Sequence, residues 1–270
     1  MPRAVLIGGT GMIGRAAARA LAEDGWDVVA VSRSGTLPEG LAELGVESVV
    51  VDREDDAQLR AALGSGADVV YDSVAMDRAH GEQLNRLEGL VGSLVVISTA
   101  SVYADDEGRA FDGEGGDPPQ LPVPVVETQP TAEPGDATYS TRKAELEQTL
   151  LQGPLPSTLI RACAVYGPGA KNPRELYFVK RAVDGRRRVA LAWNGESHFN
   201  TASVANLAEL IRLAAAQPGD RLLNGGDPEA VRETCAWLVG ELERGRSWEG
   251  SYIEASLDYA AEDEALASRA

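Results

Sequence analysis

The stretch Arg3-Ala-Val-Leu-Ile-Gly-Gly-Thr-Gly-Met-Ile-Gly14 decides the fold. Ala4 to Ile7 is a short apolar run closed by glycine, and it reads as a buried strand. Glycines follow at 8, 9, 11 and 14, and Arg15 to Glu23 is then rich in strong helix formers. Glycines at a strand-to-helix turn stand in the context that a dinucleotide fingerprint requires. Gly9, Gly11 and Gly14 satisfy G-x-G-x-x-G, and Gly8, Gly11 and Gly14 satisfy the related G-x-x-G-x-x-G. One glycine permits the tight turn, one lets backbone approach a pyrophosphate, and one lets the helix lie close on the sheet. The helix N-terminus adds free N–H groups and partial positive charge. Gly8, Thr10, Gly11, Met12, Ile13 and Gly14 are therefore the expected cofactor-binding residues.

Working outward, strand and helix signals alternate through the first two thirds of the chain, the pattern of βαβ units and a parallel sheet. Strands are expected at 27–32, 47–52, 67–72, 93–98 and 157–165. Helices are expected near Leu41, at 56–63, at 83–91 and from about Ala137 to Leu151, where Gly153-Pro154 stops the last of them. Residues 104–138 read as a long irregular loop, rich in Pro, Gly and acids. Beyond Gly167-Pro-Gly169 the alternation weakens. Helices are expected at 173–183, 203–216 and 228–243, strands at 188–192 and 221–223, and a loose acidic tail from Gly245. The fold class is α/β, a doubly wound parallel sheet. Residues 1–165 are expected to form the dinucleotide-binding domain and 166–270 a small substrate-binding domain, part of which can return to the sheet.

The 270 residues are 44% hydrophobic, enough for a sizeable core, and carry a net charge of −17. Such an excess of acid excludes non-specific nucleic-acid binding, which depends on Lys and Arg neutralising phosphates. No apolar run approaches the roughly 20 residues of a membrane helix. The N-terminus lacks the pattern of a signal peptide, so a cytoplasmic location is expected. Cys163 and Cys235 are then expected as buried thiols rather than a disulfide. Two histidines, His80 and His198, and two scattered cysteines give no metal-site spacing.

The tip of the second strand meets the adenosine ribose in a dinucleotide site, where an acid favours NAD and an Arg accommodates a 2′-phosphate. Here the tip reads Val31-Ser32-Arg33-Ser34, with no acid. Ser32 and Arg33 suit a phosphate, so NADP(H) is favoured over NAD(H). Asp52, closing the third strand, is placed near the adenine.

Tyr139 and Lys143 fall in one expected helix, and their spacing of four puts them on one face about a turn apart. A phenol has a pKa of about 10, and a neighbouring ammonium favours its ionised form. The pair can move a proton to or from an alcohol or carbonyl while a nicotinamide moves the hydride. Of 25 basic residues only Lys143, Lys171 and Lys180 are lysines, so an unconstrained basic residue at 143 would more often have been Arg. Hydroxyls cluster at the end of the fifth strand, in Ser98-Thr99-Ala100-Ser101. Ligands bind at the C-terminal ends of parallel strands, and hydroxyls there can donate to an oxygen that gains charge. Spacing leaves open which hydroxyl serves.

These pieces resemble the extended short-chain dehydrogenase/reductase family, also called the NAD-dependent epimerase/dehydratase family. The resemblance rests on Gly8 to Gly14, on Ser98-Thr99 before Tyr103, on Tyr139 with Lys143, and on Arg161 followed by Val165-Tyr166-Gly167-Pro168-Gly169. It implies a Rossmann domain with a small C-terminal substrate domain. It also implies Tyr139 as catalytic acid/base, Lys143 as holder of the nicotinamide ribose, and Thr99 as the catalytic Ser/Thr. Such proteins often pair through helices, so a homodimer is an expected partner state beside a small-molecule substrate. Three departures narrow the substrate. Ala164 stands where the nucleotide-sugar enzymes carry Asn, and Ala100-Ser101 where the 4,6-dehydratases carry Asp-Glu. The fourth strand ends in Asp72-Ser73-Val74-Ala75 rather than in a His-Leu-Ala-Ala type. The acidic 104–138 loop would also repel a diphosphate. The expected activity is an NADP-dependent oxidoreductase acting on a small alcohol, ketone or sugar-like substrate. The alternatives are an epimerase that retains its cofactor and a non-catalytic NADP sensor.

Overall fold

The computed structural model describes residues 1–113, 118–171, 173, 176–185 and 200–227. The chain divides into two compact units, Met1–Cys163 with Ala205–Gly225, and Ala164–Val204 with Gly226–Ala270.

The first unit is built on β1 (Arg3–Ile7), β2 (Asp27–Ser32), β3 (Glu47–Val50), β4 (Ala67–Asp72), β5 (Val91–Thr99), β6 (Ser157–Ala162) and β9 (Arg221–Gly225). They form one seven-stranded sheet in the order β3-β2-β1-β4-β5-β6-β9, and every pairing is parallel. The order reverses between β1 and β4, the switch point where such sheets bind ligands beyond their strand ends. Its helices are α1 (Met12–Glu23), α2 (Asp56–Leu63), α3 (Arg78–Asn85), α4 (Tyr139–Leu151) and α6 (Val204–Ala216). The central strands are apolar on both faces, as a sheet covered by helices demands. Val5, Ile7, Val70, Leu94, Val96 and Leu159 join Leu146 and Leu150 of α4 and Leu59 and Leu63 of α2 in one core.

The described part of the second unit contains β7 (Ala164–Tyr166) paired in parallel with β8 (Thr201–Ser203), and α5 (Leu176–Val183). Asp227 fastens this pair, accepting from Thr201 Oγ1 at 2.7 Å and from the Ser203 amide at 3.0 Å.

Several expected elements shift. No helix forms near Leu41; residues 39–45 turn instead, between Gly40 and Gly45, both at positive φ. The helix expected at 83–91 lies at Arg78–Asn85, started by Asp77, whose side chain accepts from the His80 amide at 3.2 Å, and Val91 already belongs to β5. The strand expected over 157–165 breaks at Cys163 into β6 and β7, which join different sheets. Cys163 is half-buried rather than buried. The expectations for Cys235, His198, 188–192, 228–243 and the tail lie outside the described residues.

Candidate active site

The glycine turn is a cradle cut to backbone dimensions. Gly8 has φ +80°, open to glycine at little cost, and a Cβ there would lie 2.5 Å from Ser73 Oγ. A Cβ on Gly14 would strike the Gly8 carbonyl and come within 2.8 Å of the Gly9 Cα. The turn is tied to both neighbouring strands, the Gly8 amide donating to Val31 at 3.0 Å and the Ser73 amide to Ile7 at 3.2 Å. Gly11 caps α1 without a side chain, and the first turn of α1 holds no acid. The amides at the start of α1 are thus left to an anionic ligand beside Thr10, Met12 and Ile13. This is the fit a dinucleotide pyrophosphate requires.

α4 carries Tyr139 and Lys143, the pair expected to move the proton. Thr138 caps it in a reciprocal box with Thr141, and Asp112 from the long loop accepts from the Ser140 amide at 2.8 Å and from Thr138 Oγ1 at 3.2 Å. Burial opposes ionisation of Asp112, but its bonds from Ser140 and Thr138 hold the carboxyl below the usual carboxylate range. Tyr139 is the first helical residue, 40% exposed, and its hydroxyl has no partner among the described residues. Lys143, one turn on, is 4% exposed. Its Nζ donates to the carbonyls of Ala75 at 2.8 Å and Ile97 at 2.7 Å, just past β4 and near the end of β5. An ammonium has three protons, so one remains for a ligand. Burial pushes the Lys143 ammonium down to about 8; Asp72 and Glu147 oppose that fall and Arg53 adds to it.

The two candidate hydroxyls at the end of β5 separate cleanly. Ser98 is buried and donates to Glu147 Oε1 at 2.6 Å. Thr99 is half-buried and accepts from the Ser101 amide at 3.1 Å, capping the short 3₁₀ turn Ala100–Val102. That bond leaves the Thr99 proton free to donate.

Comparisons with known proteins give the family. The model of the NAD-dependent epimerase/dehydratase family matches residues 4–225. The chain belongs to this family. It is an NAD(P)-dependent enzyme of the extended short-chain dehydrogenase/reductase type. A 4-hydroxy-2-methyl-3-oxo-4-farnesyl-3,4-dihydroquinoline-1-oxide ketoreductase of Stigmatella aurantiaca is 27% identical over 254 residues, 88% of this chain and 72% of that protein. A 2-alkyl-3-oxoalkanoate reductase of Stenotrophomonas maltophilia is 29% identical over 274 residues, 88% of this chain and 75% of that protein. Among solved structures, the Bordetella bronchiseptica enzyme WbmG in complex with NAD superposes with TM-score 0.68 at 17% identity, covering 92% of this chain and 79% of that one.

In this family member the expected adenosine-side residues are placed as follows. Ser32 ends β2, and its Oγ accepts from the Gly35 amide at 3.1 Å, which shapes the turn after the strand. Arg33 is exposed and has no partner among the described residues. β3 ends at Val50, so Asp52 lies past the strand rather than closing it. Its carboxylate accepts from the Glu54 amide at 3.1 Å, a local turn that accounts for an acid there.

Sequence reasoning missed the layer beneath. Glu147, one turn beyond Lys143, receives Arg161 Nη2 at 2.6 Å and Nε at 3.0 Å as well as Ser98. Arg161 also donates to the Glu127 carbonyl at 3.1 Å and lies 4.8 Å over the Tyr103 ring. Tyr103 donates its hydroxyl to Asn224 Oδ1 at 2.6 Å, so this family-motif tyrosine braces β9. The signal available was the spacing of Tyr139, Lys143 and Glu147 along one helix face. Among the described residues no helix is long and apolar enough to cross a membrane, and no three His, Cys, Asp or Glu gather to hold a metal.

Proposed function

We propose that this protein is an NADP(H)-dependent ketone reductase, with Tyr139 as the proton donor, Lys143 as holder of the nicotinamide ribose and Thr99 as the hydroxyl that steadies the substrate oxygen. The observation that carries this reading is the contrast within one turn of α4. Tyr139 is exposed with a hydroxyl unclaimed among the described residues, while Lys143, one turn on, is buried and keeps one uncommitted proton. When bound, a reduced nicotinamide supplies two electrons as hydride to the carbonyl carbon. Tyr139 hands its phenolic proton to the carbonyl oxygen as the C=O π bond breaks, which leaves an alcohol. Its exposure lets solvent return the proton. Thr99, its own oxygen already accepting from Ser101, donates to the oxygen that gains charge.

Reduction of a ketone on an apolar molecule is favoured over work on a sugar diphosphate. The two relatives are named for reducing 3-oxo compounds that carry a farnesyl or alkyl chain. Phe111, 60% exposed, adjoins the Asp112 that holds the start of α4 at Tyr139, and it offers apolar surface there. The choice of NADP rests on the tip of β2, where Arg33 stands without a partner among the described residues and no acid follows the strand. The test is tight binding of NADPH over NADH, followed by turnover with 2-alkyl-3-oxo acids or their esters. NADPH binding without turnover on such a panel, or equal affinity for both cofactors, would overturn it.

A further inference from the structure

Behind Lys143 lies a second buried charge cluster that this chemistry does not use. Asp72, the last residue of β4, is 0% exposed. Its Oδ1 accepts from the amides of Val74 at 2.6 Å and Ala75 at 2.8 Å. That tight turn fixes the Ala75 carbonyl, the one to which Lys143 donates. The other oxygen, Oδ2, faces Nη1 of Arg53 at 3.2 Å, off the hydrogen-bonding line, and neither atom has a hydrogen-bond partner among the described residues. Arg53 is itself held. Its Nη2 donates to Gln83 Oε1 at 2.5 Å, and Gln83 Nε2 donates back to the Arg53 carbonyl at 2.7 Å and to Asp56 Oδ1 at 2.7 Å. Glu54 reaches Arg53 Nε only at 4.0 Å, from an exposed position.

A buried carboxylate oxygen without a hydrogen bond is costly, and a well-made pair would use it. The pair of Glu147 on α4 and Arg161 on β6 shows that this protein can build one. At Asp72 the unspent charge is shared between two buried cations, Arg53 and Lys143. The charged groups that act on the Lys143 ammonium are Asp72 from β4, Arg53 from the segment after β3 and Glu147 from α4 itself.

We propose that Asp72 and Arg53 are positioning residues for Lys143: the carboxylate fixes the carbonyl that receives the ammonium and supplies the counter-charge that keeps it protonated, while Arg53 holds that carboxylate and tempers its pull. This deepens the proposed function and rests on its reading of Lys143. Two substitutions separate charge from scaffolding. Asp72→Asn keeps an oxygen for the Val74 and Ala75 amides but removes the charge, so Lys143 should lose its proton at lower pH. Arg53→Gln removes a repelling cation, so Lys143 should hold its proton to higher pH. Each shift should be about one pH unit, the size expected of a buried neighbouring charge.

The chain has three lysines, so ¹³Cε-lysine labelling of the cofactor-free protein gives three resonances, and Lys143→Arg identifies the one that matters. In the unmodified protein that resonance should titrate near 8, with Asp72→Asn below it and Arg53→Gln above it. A wild-type midpoint at the ordinary lysine value would overturn the proposal. So would an unchanged midpoint in folded Asp72→Asn, or a downward shift in Arg53→Gln. A pair that served only as scaffolding would lower Tm in both variants without moving Lys143 in opposite directions. Should Asp72→Asn fail to fold, Arg53→Gln decides alone, since an unmoved midpoint there is also fatal. If the resonance shifts as expected but the alkaline limb of turnover stays put, the charge coupling stands and it is the role of Lys143 in catalysis that falls.

Discussion

The two ends of one face of α4 do opposite work. At its start Tyr139 is exposed and its hydroxyl is unclaimed among the described residues; two turns later Glu147 is buried with Ser98 and Arg161 on its oxygens. Lys143 stands between them in both senses, buried like Glu147 but with one proton uncommitted. A side chain whose bonding capacity is filled can only hold structure. One whose capacity is open at the strand ends can take part in chemistry. On the proposed reading, the helix delivers Tyr139 on a rigid stalk, which is what precise positioning requires.

The sharpest way to break this contrast is at the open end. Tyr139→Phe should cut turnover by roughly 10²–10⁴, the worth of a positioned acid/base group. NADPH affinity and Tm should barely move, because that hydroxyl bonds nothing among the described residues. Steady-state kinetics beside a thermal melt checks both halves, and retained turnover would remove Tyr139 from the chemistry. At the closed end the effect should fall on stability. Glu147→Leu strands a buried guanidinium and should cost about 3–5 kcal/mol in urea denaturation. Pairing it with Arg161→Met should recover much of that loss; equal damage from the single and double variants would show that the pair was not the reason.

How much of this was legible follows from how local each decision is. The strands at 27–32 and 67–72 and the helix at 56–63 stand where their sequences place them. Their apolar runs and the capping Asp55 act within a few residues. The glycine turn was legible for the same reason. The helix expected at 83–91 failed because apolar residues at 87, 90 and 91 continue a helical pattern, whereas Val91 is claimed by pairing with Ala67 on β4. The break at Cys163 was hidden because Ile160 to Val165 gives no local stop; β6 ends where β9 ends beside it, and the Cys163 amide donates to Gly225 at 2.9 Å. Ser98 and Thr99 look alike in sequence, and only the arrival of Glu147 on one of them tells them apart. Asn224 beneath Tyr103, 121 residues away, has no local signal at all.

Two smaller effects sharpen the middle and the edge of the comparison. Lys143 has a folded-state pKa near 8 against about 10.4 when unfolded, so between those values the unfolded chain binds more protons. Stability should therefore rise with pH across that window relative to Lys143→Met. The deficit of the variant should widen by up to about 3 kcal/mol from pH 7 to pH 10. A flat difference would mean that Lys143 keeps its ordinary proton affinity. At the far side of the cradle, Arg33→Asp should weaken NADPH by roughly 10- to 100-fold, the worth of a hydrogen bond between charged groups, and turn preference toward NADH. An unchanged cofactor ratio would make Arg33 a bystander.

The edge strand beside β6, β9, comes from residues 221–225, after the whole of 164–204 has intervened. A chain leaving the ribosome N-terminus first therefore exposes β6 as a naked parallel edge until residues 221–225 emerge. Until Asn224 emerges, the phenol of Tyr103 has no acceptor and the Glu127 carboxylate lacks the Asn224 amide that it accepts from. Nascent-chain maturation thus comes late for this enzyme, and the interval before it is when a chaperone would matter most.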